Sequence, residues 1–338
     1  AFICGVAGLS LTEDERAFLR AEQPWGFILF KRNVNDRAQV AALISELRDC
    51  VGRADAPVLV DQEGGRVQRL GPPHWPVYPR GAVFSQLYDR SPQDGLRAAF
   101  LSARLIAHDL AEVGFTVDCL PLADVPVAGA DAVIGDRAYG TEPAKVAAIG
   151  RAVTDGLAAG GVLPVLKHIP GHGRATADTH FQLPTVDTPA VELDRSDFAA
   201  FRPLADLPMA MTAHVVFSAL DRAQPATTSA TIIAEVIRGS IGFQGLLMSD
   251  DVSMNALQGT IAERTRASIA AGCDMILHCN GKPEEMREVA DNTPPLAGLA
   301  LERADRALAA RKQPAPLDRE QARAELDELV SRAGALTA

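Results

Sequence analysis

Eight short apolar runs, at residues 2–6, 26–30, 57–61, 115–121, 162–168, 209–216, 245–249 and 275–279, recur along most of the chain. Most are almost uninterrupted by polar residues. Strands covered on both faces look like this, and sheets covered on both faces are parallel ones with helices packed outside them. Amphipathic stretches at 12–21, 36–51, 92–113, 142–159, 192–204, 229–241 and 260–271 lie between the runs and predict those helices. Thr12-Glu-Asp-Glu15 reads as a capping box and Ser229 as a second cap-type start. Gly114, Gly160-Gly161 and Gly272 stand where helix C-caps are expected.

Eight strands alternating with helices predict a closed (β/α)8 barrel, with an open doubly wound sheet as the runner-up. The first strand is not followed by G-x-G-x-x-G, and there is no Walker loop, so the nucleotide-binding versions of the open sheet lack their phosphate cradle. Residues 283–338 read as a charged helical tail broken at Gln313-Pro-Ala-Pro316. That tail is too poor in apolar residues to build a second core. The expected organisation is therefore one catalytic domain over 1–338 with the tail packed on the barrel.

With 33 basic and 43 acidic residues, the net charge of −10 argues against binding nucleic acid or anionic membranes. None of the apolar runs approaches the roughly 18–20 residues of a membrane span. Cys4, Cys50, Cys119, Cys273 and Cys279 are an odd number without C-x-x-C spacing, which reads as reduced thiols in a cytoplasmic protein. The apolar start has no basic leader and reads as a strand, not a signal peptide.

In a barrel of this kind the chemistry collects where strands end. Here those positions carry Asp61-Gln-Glu63 with Arg66 and Arg69, then Asp124, Asp136-Arg137, Lys167-His168 with His172, Asp178 and His180, His214, and Asp250-Asp251. Burying an unpaired charge costs several kcal/mol, so five strand ends finishing in ionisable groups point to a shared polar pocket. Individually, His214 fits a satisfied core histidine, and Glu63 with Arg66 fits a structural ion pair. Two chemistries suit the pocket. His168, His172, His180, His214 and Asp250 could supply metal ligands, although their spacing matches neither H-x-H nor H-E-x-x-H. Alternatively, paired charged and hydrogen-bonding groups such as Asp61 with Arg69 could hold the adjacent hydroxyls of a sugar. A glycosidase then needs a nucleophilic carboxylate and a group that protonates the leaving oxygen.

Asp61-Gln-Glu-Gly-Gly-Arg-Val-Gln-Arg69, Ile134-Gly-Asp-Arg137, Lys167-His-Ile-Pro-Gly-His-Gly173 with Asp178-Thr-His180, Met211-Thr-Ala-His214 and Ser249-Asp-Asp-Val-Ser-Met254 together resemble the family 3 glycoside hydrolases. The matching segments run in the family's order across most of the chain. Asp178-Thr-His180 departs from the commoner Asp-Ser-His, and the approach to Asp124 is a looser match. The resemblance implies a (β/α)8 barrel and a retaining exo-β-N-acetylglucosaminidase (a β-hexosaminidase). Its expected substrate is a peptidoglycan-derived muropeptide, from which it removes N-acetylglucosamine attached to 1,6-anhydro-N-acetylmuramic acid during cell-wall recycling. By the same resemblance Asp250 is the nucleophile, His180 the acid/base and Asp178 its partner. Asp61, Arg69, Arg137, Lys167 and His168 hold the sugar, while Asp124 and His214 stand behind them. No cofactor, metal or obligate protein partner is expected. A phosphorylase or β-glucosidase on the same scaffold is the alternative.

Overall fold

A computed structural model of the chain describes residues 1–179 and 182–334. Its centre is a closed barrel of eight parallel strands: β1 (Phe2–Cys4), β2 (Gly26–Leu29), β3 (Val58–Val60), β4 (Val117–Asp118), β5 (Leu163–Ile169), β6 (Met209–Thr212), β7 (Leu246–Asp251) and β8 (Met275–His278). Each strand pairs with its neighbour in sequence. The ring closes where β1 meets β8, with Phe2 opposite Ile276 and Cys4 opposite His278. The (β/α)8 expectation holds, and the open sheet is set aside by that pairing.

Helices α1 (Glu13–Glu22), α2 (Arg37–Val51), α3 (Gly81–Arg90), α4 (Pro92–Val113), α5 (Pro143–Ala159), α6 (Ala190–Arg195), α7 (Asp197–Phe201), α8 (Ile261–Ala271), α9 (Pro283–Asn292), α10 (Gly298–Ala309) and α11 (Arg319–Arg332) surround it. The starts and stops obey local chemistry. Thr12 and Glu15 form the reciprocal capping box, and the Ser229 hydroxyl accepts from the Ile232 N–H. Gly114 and Gly272 end α4 and α8 at φ of +102° and +114°. Two expectations needed revision. The stretch expected as one helix over 192–204 is broken at Ser196 into α6, α7 and a 3-10 turn. The stretch at 229–241 winds with the wider π spacing over Ile232–Ser240.

Side chains alternate across each strand, so every second residue points into the barrel. Ile3, Ile28, Leu59, Val117, Leu163, Val165, Met209, Met211, Leu246, Met248, Met275 and Leu277 fill that interior as one apolar cluster. The alternate residues, among them Phe27, Leu29, Val58, Val60, Leu166 and Leu247, pack outward against the helices in the larger cluster. Each fully buried Leu, Ile or Phe contributes about 1.5–3 kcal/mol of hydrophobic stabilisation. Among the described residues, α11 covers α4: Ala322, Leu326 and Leu329 are buried, while Arg97–Glu325 and Arg319–Asp109 ion pairs flank them. None of the described helices is long and apolar enough to cross a membrane.

Candidate active site

The interior alternation continues past the apolar layers and changes chemistry at the C-terminal end. Two residues beyond Ile28 comes Phe30, two beyond Leu59 comes Asp61, and two beyond Val165 comes Lys167. Beyond Met248 and Leu277 come Asp250 and Cys279. All five line a cavity of about 340 Å3 at that mouth of the barrel. Arg66, Arg69, Arg137, His172 and Asp178 reach it from the segments that follow the strands, and His168 and Asp251 from the ends of β5 and β7. The sequence-assigned residues Asp61, Arg69, Arg137, Lys167, His168, Asp178 and Asp250 are thus brought together in one place. His180, expected beside Asp178, lies outside the described residues.

A charge network forms the wall at β3 and β5. Lys167 Nζ lies 2.9 Å from Asp61 and 2.7 Å from Glu63, with its side chain only 2% exposed. Arg69 reaches the other oxygen of Asp61 at 3.0 Å, and Arg137 grips Glu63 with two bonds of 2.8 and 2.7 Å. Burial works against charge on both carboxyls, but the cations outweigh it. Lys167 and Arg69 pull Asp61 far below the carboxylate range, and Arg137 with Lys167 holds Glu63 at about 2. Lys167 is held protonated by the same pairs against its own burial. Among the described residues one of its three N–H donors remains uncommitted, and each Asp61 oxygen keeps an unused lone pair. Those are the groups that could meet vicinal hydroxyls.

This network corrects the pairing expected from proximity in sequence. Glu63 does not bond to Arg66; it bonds to Arg137 and Lys167, while Arg66 pairs with Asp136 at 3.1 Å on the exposed rim. Sequence reasoning also passed over Phe30, which Arg32 and Arg69 flank at 4.9 and 5.4 Å from the ring centre. Its signal was available in the alternation: an aromatic two residues past Ile28 belongs to the inward face.

On the next wall, Asp124 is fully buried and organises the loop after β5. It accepts from His168 Nδ1 at 2.7 Å and from the His172 backbone N–H at 2.6 Å. Burial opposes its charge, but the His168 imidazole keeps its carboxyl below the ordinary value. His172, buried with His168 beside it, is pushed down to about 4 and stays neutral at physiological pH.

Asp250 stands across the cavity. Its backbone N–H bonds to the Thr212 hydroxyl at 3.2 Å, and its Oδ1 accepts from the Asp251 N–H at 2.8 Å. Its Oδ2 has no hydrogen-bond partner among the described residues. Burial raises its pKa, but the His214 and His168 imidazoles and the Asp251 N–H bring it below the ordinary carboxylate value. His214 is fully buried, with Nδ1 at 2.7 Å from Thr227 and Nε2 at 2.9 Å from the Asp251 carbonyl. A carbonyl only accepts, so Nε2 carries a hydrogen. The satisfied-histidine reading therefore fits it, in a position that buttresses the end of β7, which bears Asp250. Among the described residues no group of three His, Cys, Asp or Glu side chains is arranged to hold a metal ion.

The glycosyl hydrolase family 3 N-terminal domain matches residues 5–306 of the chain. The chain belongs to glycoside hydrolase family 3. A curated β-hexosaminidase of Bordetella avium is 36% identical over 299 residues, which is 86% of this chain and 84% of that one. That of Chromobacterium violaceum is 36% identical over 305 residues, 89% of this chain and 84% of the relative. Among solved structures, NagZ from Neisseria gonorrhoeae in complex with N-trifluoroacetyl-D-glucosamine superposes with a TM-score of 0.84 at 32% identity. It covers 98% of this chain and 96% of its own. In this family 3 hydrolase Asp61, Lys167 and Asp250 are picked out both by motif and by strand alternation.

Proposed function

We propose that this glycoside hydrolase, a β-N-acetylhexosaminidase, works as a retaining exo-enzyme on peptidoglycan fragments. It removes terminal N-acetylglucosamine from 1,6-anhydro-N-acetylmuramic acid, with or without a peptide stem, in cytoplasmic cell-wall recycling. The observation that carries the reading is the convergence of Asp250, Asp178 and the Asp61–Lys167–Glu63–Arg137 network on one cavity. Asp61, Arg69, Arg137, Lys167 and His168 hold the sugar ring. Asp250 attacks the anomeric carbon as His180, paired with Asp178, protonates the departing oxygen. His180 then takes a proton from water as that water displaces Asp250, which restores both groups and leaves the anomeric configuration unchanged. Five free cysteines suit a reducing compartment.

The test compares nitrophenol release from β-N-acetylglucosaminide and β-glucoside in phosphate-free buffer containing a chelator. Turnover selective for the N-acetyl sugar, giving first the β-anomer by proton NMR, is expected. Equal turnover of both sugars would make it a β-glucosidase, and formation of the sugar 1-phosphate on adding phosphate would make it a phosphorylase. Turnover lost to the chelator would revive the metal reading. His180→Ala should cost about 10²–10⁴-fold on an alkyl glycoside, whose leaving group needs protonation, and far less in kcat/KM on a dinitrophenyl one. Equal losses would remove it from the acid role.

A further inference from the structure

The loop after β5 carries Asp178 three residues beyond Ala175, and its first half is fastened from two sides. On one side, Asp124 holds the His172 N–H, Val127 donates to the Gly173 carbonyl at 3.3 Å, and Asp131 donates to the Ala175 carbonyl at 2.8 Å. Gly173 lies so close to the strand-4 loop that a Cβ there would come within 2.1 Å of the Val125 carbonyl oxygen. On the other side, among the described residues, the tether is the Arg174 side chain. Its Nε bonds to the buried carboxylate of Asp197 at 2.7 Å, and its terminal nitrogens reach Ser196 Oγ at 3.0 Å, Thr188 Oγ1 at 3.4 Å and Glu192 at 3.1 Å. The guanidinium is itself mostly buried, at 14% exposure. Gly171, with φ of +144°, brings the backbone against the same Asp197, its Cβ position 3.2 Å from that of the aspartate. The Ser196–Asp197 break that splits α6 from α7 is the point to which Arg174 is tied.

From this geometry we infer that Arg174 is a positioning residue for the acid/base step: it clamps the stem of the loop to α6 and α7 and so fixes where Asp178 stands. The inference rests on the glycosidase reading above. Three residues separate Arg174 from Asp178, a reach of at most about 14 Å, and beyond Asp178 the Thr179 carbonyl accepts from the Ala256 N–H at 3.2 Å. A stem freed on the Arg174 side leaves Asp178 held from its far side with slack that a hydrogen bond does not tolerate. Catalytic groups misplaced by about 1 Å cost on the order of 10²-fold. Lys167 and Asp250 are carried by strands and Asp61 directly follows β3, so none of them depends on this clamp. Its loss should therefore fall on proton donation and spare the nucleophile.

The experiment measures kcat and KM of wild type, Arg174→Ala and Arg174→Lys on methyl and 2,4-dinitrophenyl β-N-acetylglucosaminides, with melting temperatures alongside. Arg174→Ala is expected to lose roughly 10–100-fold in kcat/KM on the methyl glycoside. On the dinitrophenyl glycoside, which departs without protonation, it should stay within about threefold. Arg174→Lys, which keeps the charge on Asp197 but not the fork, should recover part of the loss. Should Arg174→Ala not fold, the Thr188→Val/Ser196→Ala pair removes two of the tethers and leaves Asp197 paired. It should show the same selective loss at smaller size. Equal losses on the two glycosides, or none on either, would overturn the clamp. A wild type silent on both would bring down the glycosidase reading and the clamp with it, whereas an active wild type with an unselective variant brings down the clamp alone.

Discussion

Asp250→Ala is expected to lower turnover of nitrophenyl β-N-acetylglucosaminide by on the order of 10⁴-fold or more, the scale seen when a nucleophile is removed from a site that otherwise stays intact. The choice of Asp250 over its neighbour follows from their oxygens. Asp251 Oδ1 accepts from the Ser253 and Cys279 backbone N–H groups, and its Oδ2 accepts from the Ser253 hydroxyl. Asp251 is spent on holding two chain segments together. Asp250 gives one oxygen to a single N–H and lines the cavity with the rest. Its carboxyl is ionised at neutral pH, as a nucleophile must be, because nearby imidazoles and that N–H offset the burial that would protonate it. Removing a side chain with one such bond should cost only about 1 kcal/mol of stability, so circular dichroism should be unchanged. Sodium azide adds a decisive product test. Azide in the space vacated by the carboxylate can attack the anomeric carbon from that face while the aryloxide leaves from the opposite one, which yields the α-glycosyl azide. Near-wild-type turnover of Asp250→Ala would remove it as the nucleophile.

The barrel was legible because a parallel strand covered on both faces has nowhere to place polar residues until it ends. The eight apolar runs therefore marked the strands, and the ionisable groups marked their C-terminal ends. What was not legible depended on contacts distant in sequence or on choices the pattern does not encode. Helix α3 has no side-chain cap at Arg80 and follows a proline-rich stretch, so only Val83, Phe84 and Leu87 announced it. The break at Ser196 reflects side chains turned toward Arg174, more than twenty residues away. Ile232, Ile233, Val236 and Ile237 are spaced alike for α and π winding over so short a run. In the site, Glu63 has Arg66 three residues away and Arg137 much farther along the chain. Proximity in sequence favoured the first, and closure of the barrel delivers the second.

Lys167→Met should be the most damaging single change to the fold of the site. The substitution keeps the length and apolar stem but leaves Asp61 and Glu63 buried side by side, with Arg69 and Arg137 still attached and the charge between them gone. Breaking a buried ion pair by removing one partner costs about 3–5 kcal/mol. For a chain of this size that is a fall in melting temperature on the order of 5 °C. Affinity for N-acetylglucosamine should drop about 10–100-fold with the lost charge-assisted donor. The pH dependence separates this account from simple loss of packing. In the wild type Glu63 is depressed from 4.5 to about 2, so its contribution is fully present above the unfolded value and is lost only as pH falls through that range. Asp61 behaves in the same sense. Without Lys167 each carboxyl loses one of the cations that hold it down and moves upward, so that a proton can take the place of the missing charge as the pH falls. The deficit relative to wild type should then be larger at pH 7 than at pH 4.5, measured by urea unfolding at both. A deficit independent of pH would assign the damage to packing and leave the charge network without the role given to it here.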